Sequence, residues 1–268
     1  MIPVVLIVLA VCLGYLLAVR GRSGHPGLES LRGHNYAHRG LHGKGVPENS
    51  MAAFRKAVEH GYGAELDVHL LADGGLAVIH DSKLIRTTGA QGRVEDLTTA
   101  QLKDYHLEGT DETIPEFTEE LKVFEGKAPL IIELKVEGNT AALCETVSKV
   151  LDDYKGVYCI ESFHPQAVAW FKKHRPDVIR GQLTENYFHS KGSKLNPVLK
   201  FVLGNQITNI WTRPDFVAYN YRDLKTISNT IARKLWKMQG VAWTLRNQEQ
   251  FDDAVQNGWL PIFEGFEP

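Results

Sequence analysis

Two hydrophobic rhythms alternate along the chain. Short apolar or β-branched runs recur at Tyr36–His38, Ala64–His69, Leu130–Leu134, Val157–Glu161, Val178–Gly181, Phe216–Tyr219, Gly240–Thr244 and Pro261–Phe263. Runs of this length predict strands. Between them apolar residues return every three to four positions, which predicts helices. These are Met51–His60, Thr98–Tyr105, Pro115–Phe124, Thr140–Asp153, Pro165–His174, Tyr221–Met238 and Gln248–Asn257. In the first, Met51, Phe54, Ala57 and Val58 share one face, and Asn49 or Ser50 is placed to cap it. Strands alternating with helices predict an α/β protein, specifically a (β/α)8 TIM barrel. An open doubly wound sheet is the alternative, but it usually opens with a glycine-rich turn. Here the first strand ends in His38-Arg39-Gly40.

Two segments stand outside this rhythm. Ile2–Val19 carries no charge and reaches about 27 Å as a helix, close to the thickness of a hydrocarbon core. It predicts one N-terminal transmembrane helix. A cleaved signal peptide would carry Lys or Arg ahead of the apolar run, and none precedes it. Arg20 and Arg22 follow the run and predict a single-pass protein of the cell membrane, touching lipid through this helix, with the globular part on the cytoplasmic side. The expected organisation is a transmembrane anchor (1–20), a Gly-, Ser-, Pro- and His-rich linker (21–33) and the barrel (34–268). The second segment, Pro197–Trp211, is unusually apolar. A buried helical stripe is the expected reading, and contact with lipid is its rival.

Charge narrows the partners. The chain of 268 residues has 30 Lys plus Arg and 32 Asp plus Glu, a net charge of -2. This balance offers no reason to expect nucleic acid, so an anionic ligand needs a local cation cluster or a metal. Cys12, Cys144 and Cys159 make neither a disulfide framework nor a zinc motif. No feature of the sequence specifies an oligomeric state.

A barrel places its chemistry at the C-terminal ends of its strands. The ionisable residues collect there. His38 and Arg39 end the first strand, and His80 ends the apolar segment Val78-Ile79-His80-Asp81. Period-two alternation puts Glu65 and Asp67 on one side of the second strand, and Glu133 and Lys135 on one side of the third. Unpaired buried carboxylates are costly. One hard divalent cation, Mg2+ or Ca2+, compensates them. Buried salt bridges to Arg39 and Lys135 are the alternative, but three carboxylates outnumber two cations. Two histidines suit proton transfer near neutral pH, and Arg with Lys suits a phosphate. Metal-assisted cleavage of a phosphoester uses all of these groups. A glycoside hydrolase needs only the paired carboxylates. Trp243 ends a strand, where it either packs in the core or walls a pocket.

Ala37-His38-Arg39-Gly40, Pro47-Glu48-Asn49-Ser50, Glu65-Leu66-Asp67-Val68, Val78-Ile79-His80-Asp81, Glu133-Leu134-Lys135 and Val241-Ala242-Trp243-Thr244 follow one another in order. With them the sequence resembles the glycerophosphodiester phosphodiesterase family. The resemblance implies a TIM barrel with a small insertion after strand two, here Ala72 to about Thr113. It implies that Glu65, Asp67 and Glu133 hold one divalent cation. His38 and His80 would be acid and base, and Arg39 and Lys135 would hold the phosphate. Asn49 takes a position in the substrate pocket, with Trp243 as its aromatic wall. A substrate hydroxyl next to the phosphate can serve as nucleophile, giving a cyclic phosphate that water opens. The products would be an alcohol and sn-glycerol 3-phosphate. A phospholipase D-like cut of lysophospholipid or phospholipid head groups would use the same motifs. A tethered, inactive binding module is disfavoured, because all seven motif residues are present. The family often ends strand eight with Thr-Asp-x-Pro; here Phe263-Glu264-Gly265 stands there, with Glu264 as the candidate replacement.

Overall fold

The computed structural model describes residues 2–22, 24–190 and 192–268. The chain opens with α1 (Ile2–Ala18) and a 3-10 turn (Pro26–Leu31), then β1 (Tyr36–His38), α2 (Met51–Glu59), β2 (Gly63–Leu70), β3 (Leu76–Val78) and α3 (Ile85–Thr88). After two further 3-10 turns come α4 (Phe117–Phe124), β4 (Leu130–Leu134), α5 (Thr140–Asp152), β5 (Tyr158–Ser162), α6 (Pro165–His174) and β6 (Arg180–Thr184). The last part holds α7 (Pro197–Gly204), α8 (Asn209–Thr212), β7 (Phe216–Asn220), α9 (Ile227–Thr230), β8 (Gln239–Leu245), α10 (Gln248–Gln256) and β9 (Trp259–Phe263). The strands run β1-β9-β8-β7-β6-β5-β4-β2 in parallel, and β1 pairs with β2 to close the ring. This is the expected eight-stranded parallel barrel. β3 lies outside the ring, antiparallel to the end of β2.

Strand alternation sorts the core into two layers. Leu66, Val68, Ile132, Leu134 and Ile160 point outward and pack with Phe54, Phe117 and Phe124 of α2 and α4. Tyr36, Ile131, Cys159, Leu183, Phe216 and Val241 fill the barrel interior. Leu28 and Leu31 join that inner cluster. They come from residues 21–33, expected as a linker, whose 3-10 turn is started by Pro26 and capped by His25. Tyr36 fastens it by donating to the Leu31 carbonyl at 2.7 Å. Arg22 forms a two-pronged ion pair with the fully buried Asp215, at 2.5 and 2.6 Å.

Three expectations change. Among the described residues, no helix is long and apolar enough to cross a membrane. α1 has 17 residues, about 26 Å, and the final turn of the apolar run is spent on protein contacts. Ala18 and Val19 are buried, and the Leu16 carbonyl accepts from the Trp236 indole at 2.8 Å. The predicted transmembrane helix is therefore corrected to a short apolar helix docked at its C-terminal end. Tyr221–Met238 is not one helix. Asn220 and Thr226 each cap a new turn, giving a 3-10 turn, α9 and one π turn in succession. Thr98–Tyr105 is a 3-10 turn closed by a Thr98–Gln101 capping box.

Candidate active site

Alternation puts Ala64, Leu66 and Val68 of β2 against the helices and Glu65 and Asp67 inside. The parallel register then lines up residues far apart in sequence. His38 sits beside Glu65, Asp67 beside Glu133, and Glu133 beside Glu161. One oxygen each from Glu65, Asp67 and Glu133 lies within 4.8 Å of the others, and all three side chains are buried.

Cations and amides tie this cluster down. Lys135 Nζ lies 2.9 Å from Asp67 Oδ1 and 2.8 Å from Glu133 Oε1. Asn49 Nδ2 donates to Asp67 Oδ2 at 2.7 Å, and Arg39 Nε is 3.6 Å from the same oxygen. The Arg39 backbone N–H donates to Glu65 Oε2 at 3.1 Å. That bond needs the turn after β1 to be left-handed, with φ 54° at Arg39 and 79° at Gly40. A Cβ on Gly40 would stand 2.8 Å from the Ala53 Cβ, so only glycine fits without displacement.

Burial, with Asp67 and Glu133 close by, pushes the Glu65 carboxyl well above its usual range. Burial also raises Glu133, with Lys135 opposing it in part. Asp67 is driven the other way: burial raises it, but Lys135, His80 and Arg39 outweigh that and hold it well below. Glu161 is the fourth member. It is buried, its Oε2 finds no hydrogen-bond partner among the described residues, and burial beside Glu133 pushes it well up. If all four were ionised, they would exceed Arg39 and Lys135 by two negative charges. The cluster can hold a divalent metal: the ligand atoms are all hard oxygens, and the excess charge equals that of the ion.

The two histidines flank this cluster. His38 Nδ1 is 2.5 Å from Glu264 Oε2, and its Nε2 is 3.9 Å from Glu65 Oε2. Burial lowers His38 below its ordinary value, and the Glu264 hydrogen bond offsets this only in part. Arg246 donates to the other Glu264 oxygen at 2.7 Å. His80 Nδ1 is 2.6 Å from Asp81 Oδ1, and Arg86 pairs with Asp81 and with Glu48. Burial pushes the His80 imidazole down to about 4. The insertion after β2 places this histidine. Buried His69 bonds Glu95 at 2.7 Å and the His80 carbonyl at 3.2 Å, while Ile79, Leu84, Val94 and Leu97 form the insertion's own core.

A cavity of about 170 Å³ is walled by His38, Arg39, Glu65, His80, Glu133, Glu161 and Trp243. Of the residues expected in the site, Asp67 and Lys135 lie directly behind this wall, in contact with Glu133 or with each other. Asn49, expected in the substrate pocket, is 1% exposed and stands behind Asp67 instead of on the cavity wall. Its short amide finds its nearest polar partner in the carboxylate, not in the open space. Trp243 faces the cavity and stacks edge-on against Phe163, with ring centres 5.7 Å apart. Sequence reasoning missed Glu161, Asp81 and Arg246. Glu161 had a signal, a carboxylate closing an apolar strand as Glu133 does. Phe163 and Glu133 are shared with a second, larger cleft of about 840 Å³, which runs from Lys135 to Leu199, Val202, Leu203 and Trp211.

A parallel barrel with paired carboxylates, two histidines and two cations at the C-terminal ends of its strands has the parts that hydrolysis of a phosphate ester with metal assistance would use. The comparisons make this specific. The profile of the glycerophosphoryl diester phosphodiesterase family matches residues 38–263, and the chain belongs to that family. It is an enzyme, a phosphodiesterase. It is 33% identical over 175 residues to a glycerophosphodiester phosphodiesterase of Bacillus altitudinis, covering 61% of this chain and 71% of that protein. It is 36% identical over 132 residues to the lysophospholipase D GDPD1 of Rattus norvegicus, covering 44% of this chain and 41% of that protein. Among solved structures, an Oleispira antarctica phosphodiesterase in complex with the product sn-glycerol-3-phosphate superposes with a TM-score of 0.71. The identity there is 23%, over 91% of this chain and 95% of that one.

Proposed function

We propose that the protein hydrolyses glycerophosphodiesters to an alcohol and sn-glycerol 3-phosphate. The observation that carries this reading is the one cavity walled by His38, His80, Arg39, Glu65 and Glu133. Glu65, Asp67 and Glu133 would hold Mg2+ or Ca2+, which when bound would supply positive charge for a phosphate. Lys135 and Arg39 add the charge that keeps the phosphate in place, and Asn49 fixes Asp67. Both histidines present Nδ1 to a carboxylate, which leaves Nε2 for the reaction. His80, held neutral by burial, accepts the proton of the attacking substrate hydroxyl, and water then opens the cyclic phosphate to sn-glycerol 3-phosphate. His38, whose imidazolium Glu264 stabilises, donates to the leaving alcohol.

A second reading has a specific observation in its favour. The 840 Å³ cleft beginning at Glu133 is lined by Leu134, Val136, Phe163, Leu195 and Leu199, among others, and offers room for an acyl chain. It supports cleavage of lysophospholipids at the same site. We further propose that the barrel lies on the cytoplasmic side of the cell membrane, from the cations Arg20 and Arg22 that follow the uncharged run Ile2–Val19. Protease digestion of intact cells from outside would overturn that placement.

The reaction is tested on the full chain after chelator treatment. Ca2+, Mg2+ and Mn2+ are added back singly, and glycerol 3-phosphate release is measured from glycerophosphocholine, glycerophosphoethanolamine and lysophosphatidylcholine. Release restored by Mg2+ or Ca2+ is expected. No release from any substrate with any metal overturns the proposal.

A further inference from the structure

The segment between β6 and β7 keeps its apolar side chains outside. Phe188, Val198, Leu199, Phe201, Ile210 and Trp211 are each between 43% and 71% exposed. α7 buries little besides its last residue, Gly204. A surface helix ordinarily turns such residues to the core. Here the inner side of the segment makes the wall of the 840 Å³ cleft, with Leu199 and Trp211 reaching from the cleft to the surface.

The segment itself is basic, although Glu137 and Glu185 stand on the wall of the cleft behind it. Residues 186–214 contain four Lys or Arg and no Asp or Glu, in a chain with 32 acidic residues. The cations stand at the apolar groups themselves. Lys200 Nζ is 6.0 Å from the centre of the Phe188 ring. Lys172 donates to the Trp211 carbonyl at 2.7 Å, and Arg213 donates to the Arg20 carbonyl at 2.6 Å. Exposed apolar side chains with Lys200, Lys172 and Arg213 beside them match the two layers of a bilayer leaflet, hydrocarbon beneath anionic head groups.

We infer that the α7–α8 face docks on the surface of an anionic phospholipid bilayer, with the mouth of the cleft at the lipid. The inference rests on the proposed reaction only for what the cleft delivers; the docking itself does not depend on turnover. In substrate terms, a lipid-borne phosphodiester enters head group first toward Glu133 and leaves its chain along Leu199 and Trp211.

The test uses the full chain with vesicles of phosphatidylcholine alone or with phosphatidylglycerol, carrying brominated acyl chains that quench nearby tryptophan. Quenching of the Trp211 component is expected with the anionic vesicles. It is lost in Trp211→Phe and reduced in the double variant Val198→Glu, Phe201→Glu. Vesicle affinity of the double variant should fall about tenfold or more, because each new anion near the surface costs about what a cation gains there. Circular dichroism and melting show that the double variant is folded, and its turnover of soluble glycerophosphocholine stays near that of the parent. Quenching that survives Trp211→Phe unchanged puts the lipid contact elsewhere and overturns the inference. So does full vesicle affinity in the double variant. Absence of quenching with either vesicle also overturns it and leaves a protein as the occupant of the face. Loss of all turnover with quenching intact would sink the proposed reaction and not the docking.

Discussion

His38 takes its orientation from Glu264, 226 positions downstream, and Glu264 is itself held by Arg246. Burial pushes Glu264 up, but the bonds to His38 and Arg246 outweigh it and hold the carboxyl well below its usual range. Its negative charge is therefore present at any working pH and offsets in part the burial that lowers His38. Removing that charge with Glu264→Gln should lower turnover about 10- to 100-fold. It should also move the alkaline limb of the kcat profile to lower pH, since a donor with a lower pKa loses its proton earlier. An unmoved limb would leave Glu264 a merely structural role. His80→Ala should cost about 10²- to 10⁴-fold in kcat, while calorimetry still records Mg2+ or Ca2+ binding. The motif residues were legible in the sequence because two carboxylates or a carboxylate and a lysine on one side of a strand have little purpose in a core. Glu161 gave a weaker signal: it closes the apolar strand Tyr158-Cys159-Ile160-Glu161, but only its register with Glu133 brings it to the cluster. Asn49 was legible as a residue of the site, but its direction was not, because the choice between cavity and carboxylate depends on where Asp67 lies.

At the scale of elements, the turn after β1 shows how backbone shape serves the site. Gly40→Ala should destabilise the fold by about 1–3 kcal/mol, through a Cβ pressed on Ala53 at a left-handed φ. A melting curve reads that loss. Turnover should fall as well, because Arg39 loses its place against Glu65. A wild-type melting temperature would remove the argument for glycine there. The 3-10 turn under the barrel makes a second case. Leu31 is 1% exposed among Tyr36, Ile131 and Phe216, so Leu31→Ala should cost about 2–5 kcal/mol, read by denaturant unfolding. Gly-, Ser- and Pro-rich composition suggested a tether here, and the two leucines that anchor it were too few to show a periodicity. The helix expected at Tyr221–Met238 failed for a related reason: apolar spacing reports a face but not the side chains of Asn220 and Thr226 that start new turns within it.

For the whole molecule, a ligand that binds the folded state alone stabilises it by mass action, by about 2.7 kcal/mol at a hundredfold excess over Kd. Mg2+ or Ca2+ should therefore raise the melting temperature of the full chain, and Asp67→Asn should abolish the rise. An equal rise in Asp67→Asn would place the ion elsewhere. The order of strands and helices was readable from one sequence, because period two and period 3.6 are properties of single elements and follow from covalent geometry. The same alternation determined which side of β2 and β4 carries Glu65, Asp67 and Glu133. Closure of the ring did not follow from it, nor did the register that sets Asp67 beside Glu133 and Glu161, nor the meeting of His38 with Glu264. Those depend on packing between segments as far as 226 residues apart. The same holds for the apolar stretches. Hydropathy marked Ile2–Val19 and Pro197–Trp211 as places that avoid water. Tertiary structure decided that the end of the first is spent on Trp236 and Met238 and that the second turns Phe201 and Trp211 outward, because an apolar side chain is buried only where a neighbour offers a surface to meet it.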